Sequence, residues 1–252
     1  MRDAAAVLVT LLVATACATA RPSPAAARGD GEPAIFRALH GHDIVTLHVV
    51  TEPGVVTGTQ LRPGDALGHV QPLPQPRSSR YQSAVEEADA RYDARQYDEA
   101  LALIAPAYAG EPENPFVIEV YARTLYRMGR REESFEPYRK LVALLDAQRV
   151  AIPGAGPRSV VIDVWFADAY WKLGTLYMDR AEYDKAAFEI SRCLATGRPM
   201  PPALTDQAYS YLTKAHYHLG DYATAGALGR LTLRHNPRND YVRPFLEDTR
   251  TR

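Results

Sequence analysis

Histidine is the residue type in this 252-residue chain best suited to chemistry, and four of the seven fall in one short stretch: His40-x-His42, His48 and His69. Imidazoles at that density invite a zinc site. Yet no cysteine lies nearby, the spacings match no compact ligand motif, and His42 stands beside Asp43 in a turn-like context. His216-x-His218 lies in a helical pattern, where residues two apart point to different faces and cannot share a ligand. Glu86-Glu87, Glu132-Glu133 and Arg130-Arg131 read as solvated helix faces. No G-x-S-x-G, P-loop, H-E-x-x-H or dinucleotide fingerprint occurs. The expectation is a non-enzymatic protein with no metal and no cofactor.

Two cysteines, Cys17 and Cys193, are the other reactive candidates. The opening MRDAAAVLVTLLVATACATA has a charged start at Arg2, an apolar run from Ala4 to Ala16 and small residues after it, the form of an export signal. That run of about 13 residues is shorter than the roughly 20 a helix needs to cross a bilayer. Val13-Ala14-Thr15-Ala16-Cys17 resembles the lipobox of bacterial lipoproteins, in which cleavage falls before a cysteine that becomes lipidated. The family usually has Leu where this chain has Ala14, so plain cleavage after Ala16 or Ala20 stays open. The lipobox resemblance implies a lipid anchor on Cys17 in the cell envelope, and Ala18 after it implies the outer membrane, facing the periplasm. Cys193 sits mid-pattern at a position suited to a small buried side chain, where a free thiol packs as a hydrophobe. A disulfide to Cys17 is not expected.

Residues 1–16 are thus assigned to the signal peptide and 17–34, rich in Ala, Pro, Gly and Arg, to a flexible tether. Residues 35–76 change character: DIVTLHVV is β-branched, and TEPG, RPGD and the Pro-rich QPLPQPR supply turns and a linker. Two to four short strands are expected. Thr51-Glu52-Pro53-Gly54, Gly64, Leu67-Gly68 and Pro72 give this unit a faint resemblance to PEGA-type surface modules. The alternative is an irregular hairpin packed on the first helices.

From residue 77 to the end the hydrophobic period is helical. A 34-residue pattern recurs over 81–114, 115–148, 167–200 and 206–239, with a capping helix over 240–248. Its small or aromatic positions are occupied by Ala88, Tyr97, Ala100 and Ala107, then by Tyr121, Ala122, Gly129 and Tyr138. Tyr170, Leu173, Gly174, Tyr177, Tyr183, Ala186 and Cys193 make the third frame, and Leu212, Gly220, Tyr222, Ala225 and Pro237 the fourth. Ser134, Leu141 and Thr213 depart from it. The pattern resembles that of tetratricopeptide repeat (TPR) proteins, including bacterial TPR lipoproteins of the cell envelope. The resemblance implies a mainly α fold: a right-handed TPR superhelix of about four helix-turn-helix repeats, preceded by the small β-rich N-terminal unit. Helices in such pairs approach to about 8–10 Å, so Gly174 and Ala186 are expected at crossing points.

Two insertions interrupt the frames. RVAIPGAGPRSVVIDVWF, at 149–166, has a loop core at Pro153–Pro157; it is either a projecting functional loop or a spacer whose SVVIDVWF extends the next helix backwards. GRPMPPA, at 197–203, is expected only to change a stacking angle.

Such arrays generally bind a protein or peptide along the concave face, on the first helix of each repeat. The corresponding positions here are Asp89, Tyr92 and Asp93; Phe116, Glu119, Arg123, Tyr126 and Arg127; Trp171, Thr175, Met178 and Asp179; and Lys214, Tyr217 and His218. Aromatic and Arg side chains carry much of the binding energy in typical interfaces. A net charge of -1 and the lack of a Lys/Arg run argue against nucleic acid. The leading expectation is an envelope interaction scaffold anchored by lipid; the alternative is a sensory or ligand-binding accessory that recognises its target through the β-rich unit.

Overall fold

The structure, a computed structural model, describes residues 46–52, 55–60, 79–147, 159–195 and 200–249. The signal, Cys17, the tether, His40, His42, His69, most of the PEGA-like residues, the Pro-rich linker and the Pro153–Pro157 loop lie outside them. Four helix pairs follow one another: α1 Gln82–Asp93 with α2 Tyr97–Gly110, α3 Pro115–Arg127 with α4 Arg131–Ala147, α5 Ala167–Asp179 with α6 Tyr183–Ala195, and α7 Pro202–His218 with α8 Tyr222–His235. A short α9, Arg243–Thr249, packs on α8 and α7. The first three pairs fall within their recurring frames, whereas α7 begins at Pro202, four residues before the fourth frame, and consecutive helices pack on each other along the chain. The described residues have the tetratricopeptide-repeat fold. No helix among them is long and apolar enough to cross a membrane.

The turn inside each pair has the same backbone. Among the described residues, those with positive φ are Arg95, Gly129, Ala181 and Gly220, each the fifteenth residue of its frame. Here the chain leaves the first helix through the left-handed region, which glycine enters without the Cβ penalty. Arg95 (φ 62°) and Ala181 (φ 58°) accept that strain. Ala181→Gly is therefore expected to stabilise the fold by about 1 kcal/mol, read as a higher urea midpoint; an unchanged midpoint would contradict it. Starts are fixed differently. Asn114 Oδ1 accepts from the Phe116 N–H at 3.1 Å ahead of Pro115, and Asp221 Oδ1 from the Thr224 N–H at 3.1 Å.

The buried core forms two clusters along the array, with half-buried Tyr108 packed against both. Val85, Ala88, Ile104 and Ala107 join Val117 and Val120 at one end. Ile118, Tyr138, Leu141, Tyr170, Leu173, Ile190 and Leu212 run through the middle. The departures from the pattern are absorbed locally: Ser134 is fully buried with its hydroxyl donating to the Arg131 carbonyl at 2.7 Å, and Thr213 donates to the Tyr209 carbonyl at 2.8 Å. Cys193 is buried and in no disulfide.

Three strands form a small sheet. β1 (Thr46–Glu52) pairs antiparallel with β2 (Val55–Gln60), as a hairpin pattern requires, with a register shift between Val50 and Glu52. β3 (Ser159–Asp163) lies parallel to β1, from Thr46 opposite Ser159 to Val50 opposite Asp163, giving the order β2-β1-β3. This corrects the expectation that SVVIDVWF would extend a helix backwards. The β-branched run Val160, Val161, Ile162 takes the extended state, Asp163 Oδ1 then caps a 3₁₀ turn at Val164–Phe166 through the Trp165 N–H at 3.0 Å, and α5 begins only at Ala167. The hairpin thus shares its sheet with the segment that enters the third repeat.

Candidate partner-binding face

The first helices of the four pairs, α1, α3, α5 and α7, carry the side chains expected to meet a partner, and each junction between them is built differently. At the first, Asp89 of α1 forms an ion pair with Arg123 of α3, whose guanidinium carbon lies 4.3 Å from the Tyr92 ring centre. Burial works against the Arg123 charge, but Asp89 and then Glu119 outweigh it and raise its pKa. One turn on, Arg127 Nε donates to the Tyr92 hydroxyl at 3.1 Å while the residue stays exposed. Tyr92 is held from its other side by Tyr97, edge-on with centroids 5.5 Å apart. The result is a fixed aromatic ring with one guanidinium on its face, a second at its rim and exposed Asp93 next to it.

At the second junction the Tyr126 hydroxyl and Thr175 Oγ1 share a hydrogen bond of 3.0 Å. Arg131 of α4 and Lys172 of α5 approach the Tyr126 ring, at 4.5 and 4.7 Å from its centre. Arg131 also donates through Nε to Asp179 at 2.8 Å, and Glu132 pairs with Arg180. Arg131 and Glu132, expected as solvated charges, bridge the second and third repeats. Exposed pairs of this kind each contribute a few tenths of a kcal/mol.

At the third junction Trp171 stacks on Tyr211 of α7, centroids 6.0 Å apart at 12°. Beyond it Tyr217 bonds to Asp248 and packs on Phe245 of α9 at 5.2 Å, and His218 stacks on Tyr183 at 4.3 Å. Burial, then the nearby Lys214 charge, lower the His218 pKa. His216 is buried with Nδ1 3.3 Å from Asp221, so the two histidines do face apart.

The expected binding residues therefore divide. Arg127 is exposed; Tyr92, Phe116, Glu119, Arg123, Tyr126, Lys214 and Tyr217 are partly buried. Trp171, Thr175 and Met178 are buried, at 3%, 3% and 7% exposure, and cannot line an open groove as expected. The cause is the place of α5: every residue from Ala169 to Met178 is covered, because the helix lies against α4 and α6 in the middle of the array and Tyr211 of α7 stacks on Trp171. Phe116 turns onto Phe166, just before α5, at 5.4 Å. Arg123 and Tyr126 are not the free surface residues the pattern suggests, since both are held by cross-repeat bonds. What remains open is a patch on α1 and α3 around Tyr92, and another on α7 near Lys214 and His218.

Beneath the third repeat lies a polar cluster that the pattern did not reveal. Arg192 of α6 is fully buried, donating to Asp146 Oδ1 at 2.7 Å and to Glu189 Oε2 at 3.2 Å, with its guanidinium carbon 4.2 Å from the Tyr170 ring centre. The Tyr170 hydroxyl accepts from the Asp163 N–H at 3.0 Å, which joins the cluster to the end of β3. Glu189 and Arg192, three apart, were the only signal, and a charged i,i+3 pair normally marks a solvated face.

Burial pushes the Glu189 carboxyl up to about 7 against the pull of Arg192, with Asp146 adding to the rise. It pushes Asp163 up to about 6 against its bond from Trp165. Both groups hold protons in the folded chain at pH values where the unfolded chain has lost them. Their stabilising contribution is full below the ordinary carboxylate range and is lost as pH rises through about 6 to 7. The urea midpoint is therefore expected to fall between pH 5 and 8, and Glu189→Gln to flatten that slope. A slope unchanged in the variant would rule Glu189 out as its source. Glu111, lowered to about 2 by the Ser79 hydroxyl and the Arg80 N–H, acts in the opposite sense but only below that window.

No group of three or more metal-ligating side chains occurs among the described residues. Comparison with solved structures returns repeat proteins of low sequence similarity. MamA is 16% identical over 68% of this chain and 81% of its own, with a TM-score of 0.48. YrrB, described as a TPR protein with an unusual peptide-binding site, is 12% identical over 69% and 83%, at 0.49. A thermophilic TPR protein of Thermus thermophilus is 18% identical over 68% and 100%, at 0.31. No protein-family model matches the sequence, and no curated protein does.

Proposed function

We propose that this chain is a non-enzymatic scaffold that captures a protein or peptide partner on the open part of its concave face, at the α1–α3 patch. The observation that carries the reading is the Tyr92 platform: a ring held by Tyr97, faced by Arg123 and rimmed by exposed Arg127. Because bonds already fix these side chains, binding orders few rotamers, which favours affinity. The exposed charges are of both signs, Asp93 on α1 and Arg127 on α3, so the surface suits a polar polypeptide of either sign better than a polyanion.

The location belongs to the same proposal: export by the N-terminal signal, a lipid on Cys17, and the outer membrane of a bacterial envelope, supported by the lipobox-like residues. Cys17→Ala should abolish membrane partitioning and reduce the mature mass by the acyl groups; an unchanged mass and distribution would remove the lipid anchor.

The test of the capture reading is a crosslinked pull-down from the native envelope with wild type and Arg127→Glu. Arg127 is exposed and its loss leaves the Asp89–Arg123 pair intact. A centrally placed Arg at an interface contributes about 2 kcal/mol, so recovery of the specific partner is expected to drop by tenfold or more. Equal recovery would refute the patch. A second reading, recognition through the β-rich unit, draws support from the parallel pairing of β1 with β3, which ties that unit to the third repeat. Deleting residues 35–76 separates the two: capture survives under the first reading and is lost under the second.

A further inference from the structure

The second open patch, on α7, combines aromatic rings with a surplus of hydrogen-bond donors. Tyr211, Lys214 and His218 are spaced three, four and seven residues apart and so share one face of α7. That face is half-buried or exposed, while Leu212, Thr213, Ala215 and His216 turn into the array and are buried. Tyr241, just ahead of α9, and Phe245 of α9 lie against it. The Tyr241 ring is 6.2 Å from Tyr211, the Phe245 ring 6.2 Å from His218, and the two are 6.0 Å from each other. Tyr183 adds its ring by stacking on His218. Tyr241 keeps 44% of its surface exposed, so the run of rings is open to a partner.

The polar groups among these rings are set to donate. The Tyr211 hydroxyl accepts from Gln207 Nε2 at 2.9 Å, which leaves its own proton to give. The Tyr183 and Tyr241 hydroxyls make no hydrogen bond among the described residues. Burial, then the neighbouring Tyr211 and Tyr183 phenols, push the Tyr241 pKa up to about 12, so it keeps its proton. Lys214 carries donors only, and it forms no ion pair among the described residues. Two carboxylates of the same region are already held, Asp248 by the Tyr217 hydroxyl and Asp240 by Arg243.

A proline-rich segment is the chemical complement of such a surface. Proline has no N–H, and the polyproline II backbone makes no internal hydrogen bonds, so its carbonyls are free to accept. Its turn of three residues advances about 9 Å, close to the distance of about 10 Å that the helical rise puts between Tyr211 and His218. A saccharide's hydroxyls must donate as well as accept, which this patch does not answer.

We propose that the α7–α9 patch binds a proline-rich segment of a partner polypeptide in the polyproline II conformation, with prolines three residues apart on the Tyr211–Tyr241 and His218–Phe245 pairs and an acidic side chain on Lys214. The site lies on different repeats from the Tyr92 patch and does not depend on it. Calorimetric titration of the full chain uses a blocked peptide with Pro at every third position and one Asp between two of them. A scrambled peptide with no two prolines three apart should bind about tenfold more weakly, and Tyr241→Ala should weaken the ordered peptide by about as much. Lys214→Gln, which removes no ion pair among the described residues, should bring the Asp peptide down to the affinity of its Asn counterpart and leave the Asn peptide unchanged. Arg127→Glu should leave both unchanged. The proposal is overturned if the ordered peptide does not bind or binds no better than the scrambled one, if chitotetraose binds as tightly, if Lys214→Gln keeps the preference for Asp, or if Arg127→Glu abolishes binding.

Discussion

Arg192→Ala is expected to destabilise the repeat array by about 3–5 kcal/mol, the cost of leaving one member of a buried ion pair without its partner. Arg192 has no exposed surface and Glu189 has 6%. With the guanidinium gone, Glu189 keeps no cation within bonding distance among the described residues, and the nearby Asp146 becomes a source of repulsion. Asp146 itself suffers less, because half of its side chain is in water. The melting temperature should fall on the order of 10 °C for a chain of this length. The loss should be greatest above pH 7 and smaller near pH 5, because protonation relieves an unpaired buried carboxylate. A pH-independent loss would mean that packing against Tyr170 and Phe188, rather than charge, is what Arg192 supplies. The companion measurement replaces both partners: Glu189→Met with Arg192→Met should recover most of the stability, since a well-packed apolar pair often equals a buried ionic one.

This cluster marks the boundary of what the linear pattern reveals. Periodicity and small residues located the four helix pairs, because both report on contacts within one pair: Gly174 meets α6, and Ala186 and Cys193 are buried. Most of those contacts separate residues by less than one repeat. Features set by distant segments were not legible. Strand β3 depends on a partner more than a hundred residues earlier, and the β-branched run Val160, Val161, Ile162 was its one local signal. Arg192 looks solvated until Asp146 and Tyr170 close around it.

The candidate site shows the same division. The frame puts Tyr92, Arg123 and Arg127 on neighbouring helices, and their spacing of about one repeat is what lets them touch: Arg123 bonds to Asp89, and Arg127 to Tyr92. A frame gives the direction of a side chain, however, and not what lies in front of it. Trp171, Thr175 and Met178 occupy the same frame positions as the groove residues of the other repeats yet are covered, because α5 is central and α7 brings Tyr211 onto Trp171. Arg131 and Lys172, which flank Tyr126, come from positions the frame does not assign to the groove.

Gly174→Leu is expected to cost about 3 kcal/mol, at the upper end of overpacking penalties. A Cβ at Gly174 would lie 2.6 Å from Ile190 Cγ1, 3.1 Å from the Ile190 backbone nitrogen and 3.5 Å from the Ala186 carbonyl oxygen. Ile190 is fully buried and cannot swing away, and the nitrogen moves only if α6 moves. Two effects therefore compete in Gly174→Ala: alanine gains about 1 kcal/mol of helix propensity, while the added carbon forces α5 and α6 apart. The backbone contact decides for the clash, so even alanine should lower the urea midpoint, and leucine should lower it further. Since α6 carries Arg192, a shift of that helix also strains the buried ion pair, which links this site to the cluster. Ile190→Ala alone should cost about 2–5 kcal/mol by leaving a cavity. In the Gly174→Leu background the same change supplies room, so the double variant should be less destabilised than the sum by about 1 kcal/mol or more. Strict additivity would show that residue 174 and Ile190 do not share the crossing point.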